Sequence, residues 1–193
     1  MPVYKVRNMI VLAGASASGK TEAAKLLASK YGITKVITTT TRPMRVNEVN
    51  GKDYFFVDKD TFLKMIKEDR FVEYTEYNGH LYGSTKDQIA SDKCVVIDPA
   101  GLRAYIGLHD PNIITFFLDS SEETRYKRMI ERGDKIENIK SRIEHDKKAF
   151  IKEALPVVDY HINTEIFNVE EVTDLINKVY KEAIYKRKLN KKK

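Results

Sequence analysis

An α/β fold with a parallel sheet flanked by helices follows from three features of this 193-residue chain. Short apolar runs rich in β-branched and aromatic residues alternate with longer helical patterns, the signature of βαβ units. The first run leads straight into a glycine-bracketed loop and an alanine-rich helix former, "MIVLAGASASGKTEAAKLLASKYG". Between Thr38 and about Asp92 the rhythm breaks into aromatic, charged and turn-rich text, which reads as an inserted lobe. The length suits one α/β core with such an insertion.

In chain order, the candidate core strands are 8–13 ("NMIVLA"), 35–39 ("KVITT"), 94–98 ("CVVID"), 113–119 ("IITFFLD") and 159–163 ("DYHIN"). Helical patterns lie near 20–30, 101–106, 120–132, 136–154 and 168–185. Ser120 and Glu123 have the spacing of a capping box for the helix at 120–132, and Gly133 suits its C-terminal stop. The insertion reads as a strand, a short helix and a hairpin turning at Asn78-Gly79, a pair suited to the positive φ angles of a type I′ turn. The expected organisation is a core of residues 1–37 and 93–193 and a lobe of residues 38–92. No internal repeat is visible.

Composition narrows the setting. Cys94 is the only cysteine, which excludes an internal disulfide and a cysteine zinc cage and suits a reducing cytoplasm. "MPVYKVRN" has no apolar signal stretch, and no run of about 18 apolar residues occurs, so no membrane partner is expected. Part of the net charge of +6 sits in "YKRKLNKKK", read as a solvated helix end rather than a nucleic-acid arm.

The loop carries the chemistry. Gly14, Ala15, Ser16, Ala17, Ser18, Gly19, Lys20 and Thr21 match GxxxxGK[ST] between a strand and a helix, so the fold expected is of the P-loop NTPase type. Small side chains let successive N–H groups turn toward phosphate oxygens, and the helix adds its positive end. Lys20 would neutralise β and γ oxygens, and the Thr21 hydroxyl would ligate Mg²⁺. Asp98, ending an apolar strand, is either a carboxylate near that metal or the N-cap of the next helix. Arg42 and Arg45, with Tyr54 after them, can fork around a second phosphate. Arg125, Arg128 and Arg132 fall at i, i+3 and i+7 on one helical stripe, and Arg142 follows on the next helix. Arg128, Arg132 and Arg142 suit a lid that brings positive charge to a transferring phosphoryl group. Arg125 reads instead as part of a solvated face paired with Glu122, Glu123 and Glu131.

"GASASGKT", "TTTTRPMRVNEVNGKDYFFV", "FVEYTEYNGHLYGST" and "RMIERGD...SRI" together resemble the guanylate kinases over roughly residues 8–165. The resemblance implies three parts: a core, a GMP-binding lobe at 38–92 and a helical lid at about 126–147. It implies that Arg42, Arg45, Tyr54 and Tyr82 hold the GMP phosphate, with Glu48 orienting Arg45 or nearby groups, while Thr38, Glu73, Ser84 and Asp98 read guanine. It further implies that Lys20, Arg45, Arg128, Arg132 and Arg142 are catalytic, that Asn163 lies near the adenosine of ATP, and that Mg²⁺ accompanies ATP. Val96 and Ala100 stand where the family usually carries aspartate and glutamine, and the lid is about one residue short. Two alternatives therefore stay open at this level: a kinase for another nucleoside monophosphate, and a non-catalytic phosphopeptide-binding module of similar fold. The expected partners are ATP and GMP, with no specific nucleic acid, in a monomer or homodimer.

Overall fold

The computed structural model describes residues 8–77, 79–151 and 155–190, with the backbone alone at 77, 187, 188 and 190. Five parallel strands form the core sheet in the order β2 (Thr34–Lys35), β7 (Lys93–Ile97), β1 (Met9–Ala13), β8 (Ile113–Asp119) and β9 (Tyr160–Asn163). All of β1 is buried, and its alternation divides it between two layers. Ile10 and Leu12 pack with Ala23, Leu27, Ile176 and Tyr180. These come from α1 (Lys20–Tyr31) and α6 (Val169–Asn190). Met9, Val11 and Ala13 pack on the other face with Leu102 and Tyr105 of α3 (Pro99–Gly107). A sheet covered on both faces is what continuous apolar strands require.

The insertion forms a second sheet in the order β4 (Phe55–Phe56), β3 (Thr39–Thr40), β6 (His80–Thr85) and β5 (Phe71–Tyr77), backed by α2 (Lys59–Lys67). Phe62 and Met65 of α2 meet Phe71, and the Phe62 and Phe71 rings stack at 4.4 Å. The remaining helices, α4 (Glu122–Glu131) and α5 (Ile136–Ala149), share a small core of Met129, Ile139 and Ile143. Among the described residues no helix is long and apolar enough to cross a membrane.

Several expectations shift. The strand expected at 35–39 is divided: Thr34–Lys35 joins the core sheet and Thr39–Thr40 the second sheet. Val36 still donates its N–H to Cys94 O at 2.8 Å, so the chain leaves one sheet for the other within three residues. Ser121, not Ser120, caps α4 by accepting the Thr124 N–H, and Glu123 pairs with Lys127 rather than closing a capping box. The reason is tertiary, because Glu165 accepts both the N–H and the hydroxyl of Ser121 and fixes it at the cap position. That carboxylate is held down to about 2, first by the Ser121 hydroxyl and then by Thr124. Helix α5 stops at Ala149, and Asp98 caps a helix that starts at Pro99 rather than Gly101. The hairpin is present, with Tyr77 opposite His80 and Gly79 at φ +76°, but Asn78 lies outside the described residues. So does the end of the basic tail, beyond Asn190.

Candidate active site

Residues 14–19 turn sharply between β1 and α1. A Cβ on Gly14 would sit 2.3 Å from the Leu118 carbonyl oxygen, so only glycine lets the loop leave the sheet here. Ala17 adopts φ +61°, an unusual angle for a residue with a side chain. Helix α1 starts from Gly19 without a side-chain cap, which leaves its first N–H groups open to a ligand. Lys20 sits in the first turn, against the helix dipole, a local conflict that an anion at the loop would resolve. Its ammonium donates to Ala15 O at 2.7 Å and Ser18 Oγ at 3.3 Å. Burial lowers its pKa to about 8, opposed by the charge of Asp146 and assisted by that of Arg125.

A cavity of about 490 Å³ opens over this loop, lined by residues 17–22, Arg128, Arg132, Thr164, Phe167 and Asn168 among others. Arg128 reaches across it to Thr164, donating to its carbonyl at 2.5 Å and its hydroxyl at 3.1 Å. Arg132 and Arg142 both pair with Asp134, Arg142 at 3.3 Å. Arg142 and Asn163 do not line the cavity; the Asn163 amide oxygen accepts the Glu165 N–H instead. Arg125 overturns its expected role as a solvated cation. It is 7% exposed and pairs with Asp146 at 2.8 Å, while Glu122 pairs with Lys147 and Glu123 with Lys127.

A second cavity, of about 560 Å³, lies between the core sheet and the inserted sheet. Thr38, Tyr54, Glu73, Tyr82, Ser84 and Asp98 all line it, so six of the eight residues expected to bind one ligand converge there. A bulge makes this convergence work. Phe71 pairs with Thr85 but Glu73 pairs with Ser84, so Val72 is the extra residue. Strict alternation would put Phe71 and Glu73 on one face; the bulge sends Phe71 into the lobe core and Glu73 into the cavity. There Glu73 accepts the Ser84 N–H at 3.1 Å, and burial raises its pKa, opposed by the Ser84 hydrogen bonds. Gly83 backs the arrangement, since a Cβ there would meet the Phe71 ring at 2.7 Å.

Arg42 stands behind this cavity rather than in its lining. Its guanidinium lies over Tyr54 and Phe56 at 5.4 and 5.6 Å and donates to Glu48 at 2.6 Å. Glu48 also accepts the Arg45 N–H at 2.7 Å, which leaves the exposed Arg45 held by its backbone alone. Tyr54 and Tyr82 meet edge to face at 6.1 Å. Thr21 lines both cavities, and Asp98 faces the second, its carboxylate accepting the Gly101 N–H at 2.8 Å. No cluster of three metal-ligating side chains occurs among the described residues. One hydroxyl and one nearby carboxylate fit Mg²⁺, which keeps its waters and takes most other oxygens from phosphates.

Sequence reasoning missed Asp134, Asp146, Thr164, Phe167 and Asn168. Asp146 and Asp134 read as ordinary helix and loop acids. Only their contacts distinguish them: Asp146 meets Arg125 of another helix, and Asp134 holds both Arg132 and Arg142.

The family model described as guanylate kinase matches residues 6–178. The guanylate kinase of Thermus thermophilus is 36% identical over 145 residues, 71% of this chain and 66% of that one, so the match spans just under two thirds of the relative. The guanylate kinase of Anaplasma phagocytophilum is 31% identical over 181 residues, covering 89% and 84% of the two chains. That of Clostridium acetobutylicum is 33% identical over 177 residues, covering 89% and 83%. A crystal structure of the Anaplasma phagocytophilum protein superposes with a TM-score of 0.61 at 26% identity, covering 92% of this chain and 87% of that one.

Proposed function

The chain belongs to the guanylate kinase family, and from that premise we propose that it transfers the γ-phosphoryl group of ATP to GMP, giving ADP and GDP. The observation that carries this reading is the pair of cavities sharing Thr21, one built on a lysine-bearing phosphate loop and the other on a half-buried carboxylate. ATP takes the first cavity, with its phosphates against the loop N–H groups and Lys20. Phe167 and Asn168 lie at the same cavity for the nucleoside, which makes them better candidates than Asn163. GMP takes the second.

Guanine presents N1–H and its exocyclic amine side by side, two donors that one ionised Glu73 accepts together; adenine offers a bare acceptor there. Thr38, Ser84 and Asp98 complete the base site. Arg42, Arg45, Tyr54 and Tyr82 hold the phosphate, with Glu48 fixing the two arginines. A GMP phosphate oxygen attacks the γ-phosphorus in line as ADP leaves, with no covalent intermediate. The protein contributes position and positive charge. Mg²⁺, held through Thr21 and a water shell near Asp98, would neutralise phosphate oxygens.

Arg132 and Arg142 must exchange Asp134 for phosphate oxygens, and Arg128 must leave Thr164. That exchange requires the lid at about 126–147 and the lobe at 38–92 to close over both nucleotides, which also excludes water as an acceptor. The test is ADP release from ATP with GMP, AMP, UMP, CMP and dGMP in parallel. GMP should give the largest kcat/KM among the ribonucleotides. A higher value with AMP, UMP or CMP, or no GMP-dependent ADP release, would overturn the reading.

A further inference from the structure

We infer that Asp146 is a positioning residue that ties the lid to the phosphate loop, so that the ATP seat and the lid arginines are set together. The inference rests on the reading that this loop holds ATP. Asp146 lies in the last turn of α5, and its side chain is 5% exposed. Three hydrogen bonds converge on that carboxylate. The Ser16 N–H donates to it at 2.8 Å, the Ser16 hydroxyl at 3.2 Å, and Arg125 Nη1 at 2.8 Å. Arg125 Nη1 also reaches Ser16 O at 3.4 Å, so the ion pair grips both backbone polar groups of one loop residue. The next residue, Ala17, packs on Met129, Ile139 and Ile143 from the two lid helices. Two consecutive loop residues are thereby fastened to α4 and α5.

Stability alone does not account for such a pair. Arg125 Nε is buried without a hydrogen-bond partner in the structure. A buried ion pair with an unsatisfied donor is worth no more than an apolar pair of the same volume. What an apolar pair cannot do is accept the Ser16 N–H. Arg142 lies one helical turn before Asp146, about 6 Å along the axis, and pairs there with Asp134. Asp146 thus fixes α5 one turn from Arg142, whose own partner, Asp134, is exchangeable. When the loop takes phosphate, any adjustment at Ser16 is carried through Asp146 to the helix bearing Arg142. The charge of Asp146 also reaches Lys20, so a carboxylate from the lid helps keep the loop lysine cationic.

Two variants and one measurement on the unaltered protein test this. Asp146→Asn keeps the shape and removes the charge. The double substitution Arg125→Met with Asp146→Leu replaces the pair by apolar volume. Both should weaken ATP, measured by direct titration, at least about tenfold, while GMP affinity stays within about twofold and the double variant melts within a few degrees of the parent. In the parent, the Ser16 amide should exchange with solvent far more slowly than an unprotected loop amide. Unchanged ATP affinity in either folded variant would overturn the inference, as would equal losses for ATP and GMP or a Ser16 amide exchanging at the unprotected rate. Because ATP titration and amide exchange need no turnover, a parent that bound ATP but failed to phosphorylate GMP would refute the proposed activity while this test still read out.

Discussion

The two cavities that meet at Thr21 solve opposite electrostatic problems with the same device. The loop cavity half-buries a cation, Lys20, whose pKa falls to about 8; the lobe cavity half-buries an anion, Glu73, whose pKa rises. In each case burial disfavours the charged form, and in each case the proposed ligand restores it, with phosphate oxygens for the lysine and paired guanine donors for the glutamate. The supports differ. Around the loop, arginines reach partners far along the sequence, Arg125 pairing with the Asp146 carboxylate and Arg128 donating to the Thr164 carbonyl and hydroxyl. Around the lobe, position comes from packing: a bulge at Val72, a glycine under Phe71 and crossed tyrosine rings. Substitutions of these supporting residues should therefore act mainly through charge on the loop side and through shape on the lobe side, whereas Lys20 and Glu73 act on each side through charge.

The largest effect should come from Lys20→Met. Turnover should fall by about 10³ or more, since a charge aimed at the transferring phosphate is lost. Thermal stability should rise at the same time. Lys20 binds its proton less tightly folded than unfolded, so the folded state gains stability as pH climbs from about 8 through 10.5. Removing the charge gives part of that gain at neutral pH, on the order of 1 kcal/mol or 2–4 °C in Tm. A melting scan showing a lower Tm would break the comparison. For the parent, kcat/KM for ATP should decline on the alkaline side with an apparent pKa near 8.

Next comes Glu73→Gln. The kcat/KM for GMP should drop at least about 30-fold, roughly 2 kcal/mol, while AMP remains equally poor or improves. Stability at neutral pH should hold or rise, because glutamine still accepts the Ser84 N–H and carries no charge to desolvate. Glu73 is protonated more readily folded than unfolded, so its charge costs stability as pH rises through its titration, and the variant should lose that slope. In the parent, the acid limb of kcat/KM for GMP should lie above the ordinary glutamate range. Equal GMP efficiency in variant and parent would remove the main ground for naming GMP.

Shape comes third. Gly83→Ala places a Cβ 2.7 Å from the Phe71 ring and 2.9 Å from Glu73 O. It should lower stability by about 1–3 kcal/mol and raise the KM for GMP more than that for ATP. The smallest effect belongs to Ala17→Gly. It relieves a left-handed angle but removes a methyl from Met129, Ile139 and Ile143, so the net change should stay within about 1 kcal/mol. Melting curves of the two variants set side by side give the ranking.

What the sequence disclosed follows the same division. The phosphate loop was legible because its chemistry is local: glycines, a lysine and a threonine at fixed spacing between a strand and a helix. The core strands were legible because period and apolarity are local too. The divided strand at 35–39 was not, since leaving one sheet for another depends on partners at Cys94 and Phe55. The cap at Ser121 was missed by one residue because Glu165, far along the chain, decides it. Arg125 was misread for the same reason: helical spacing shows which residues share a stripe, not that Asp146 covers one of them. The convergence of Thr38, Tyr54, Glu73, Tyr82, Ser84 and Asp98 was approached through a family resemblance, and only the bulge at Val72 supplies its physical cause.

The central claim is that the two cavities form one continuous site joined at Thr21. It is tested most directly by titrating the protein with adenosine and guanosine joined 5′ to 5′ through a chain of five phosphates. The account predicts binding at least about 100-fold tighter than ATP or GMP alone, weakened by both Lys20→Met and Glu73→Gln. Binding no tighter than that of one nucleotide, or sensitive to only one of the two substitutions, would contradict it.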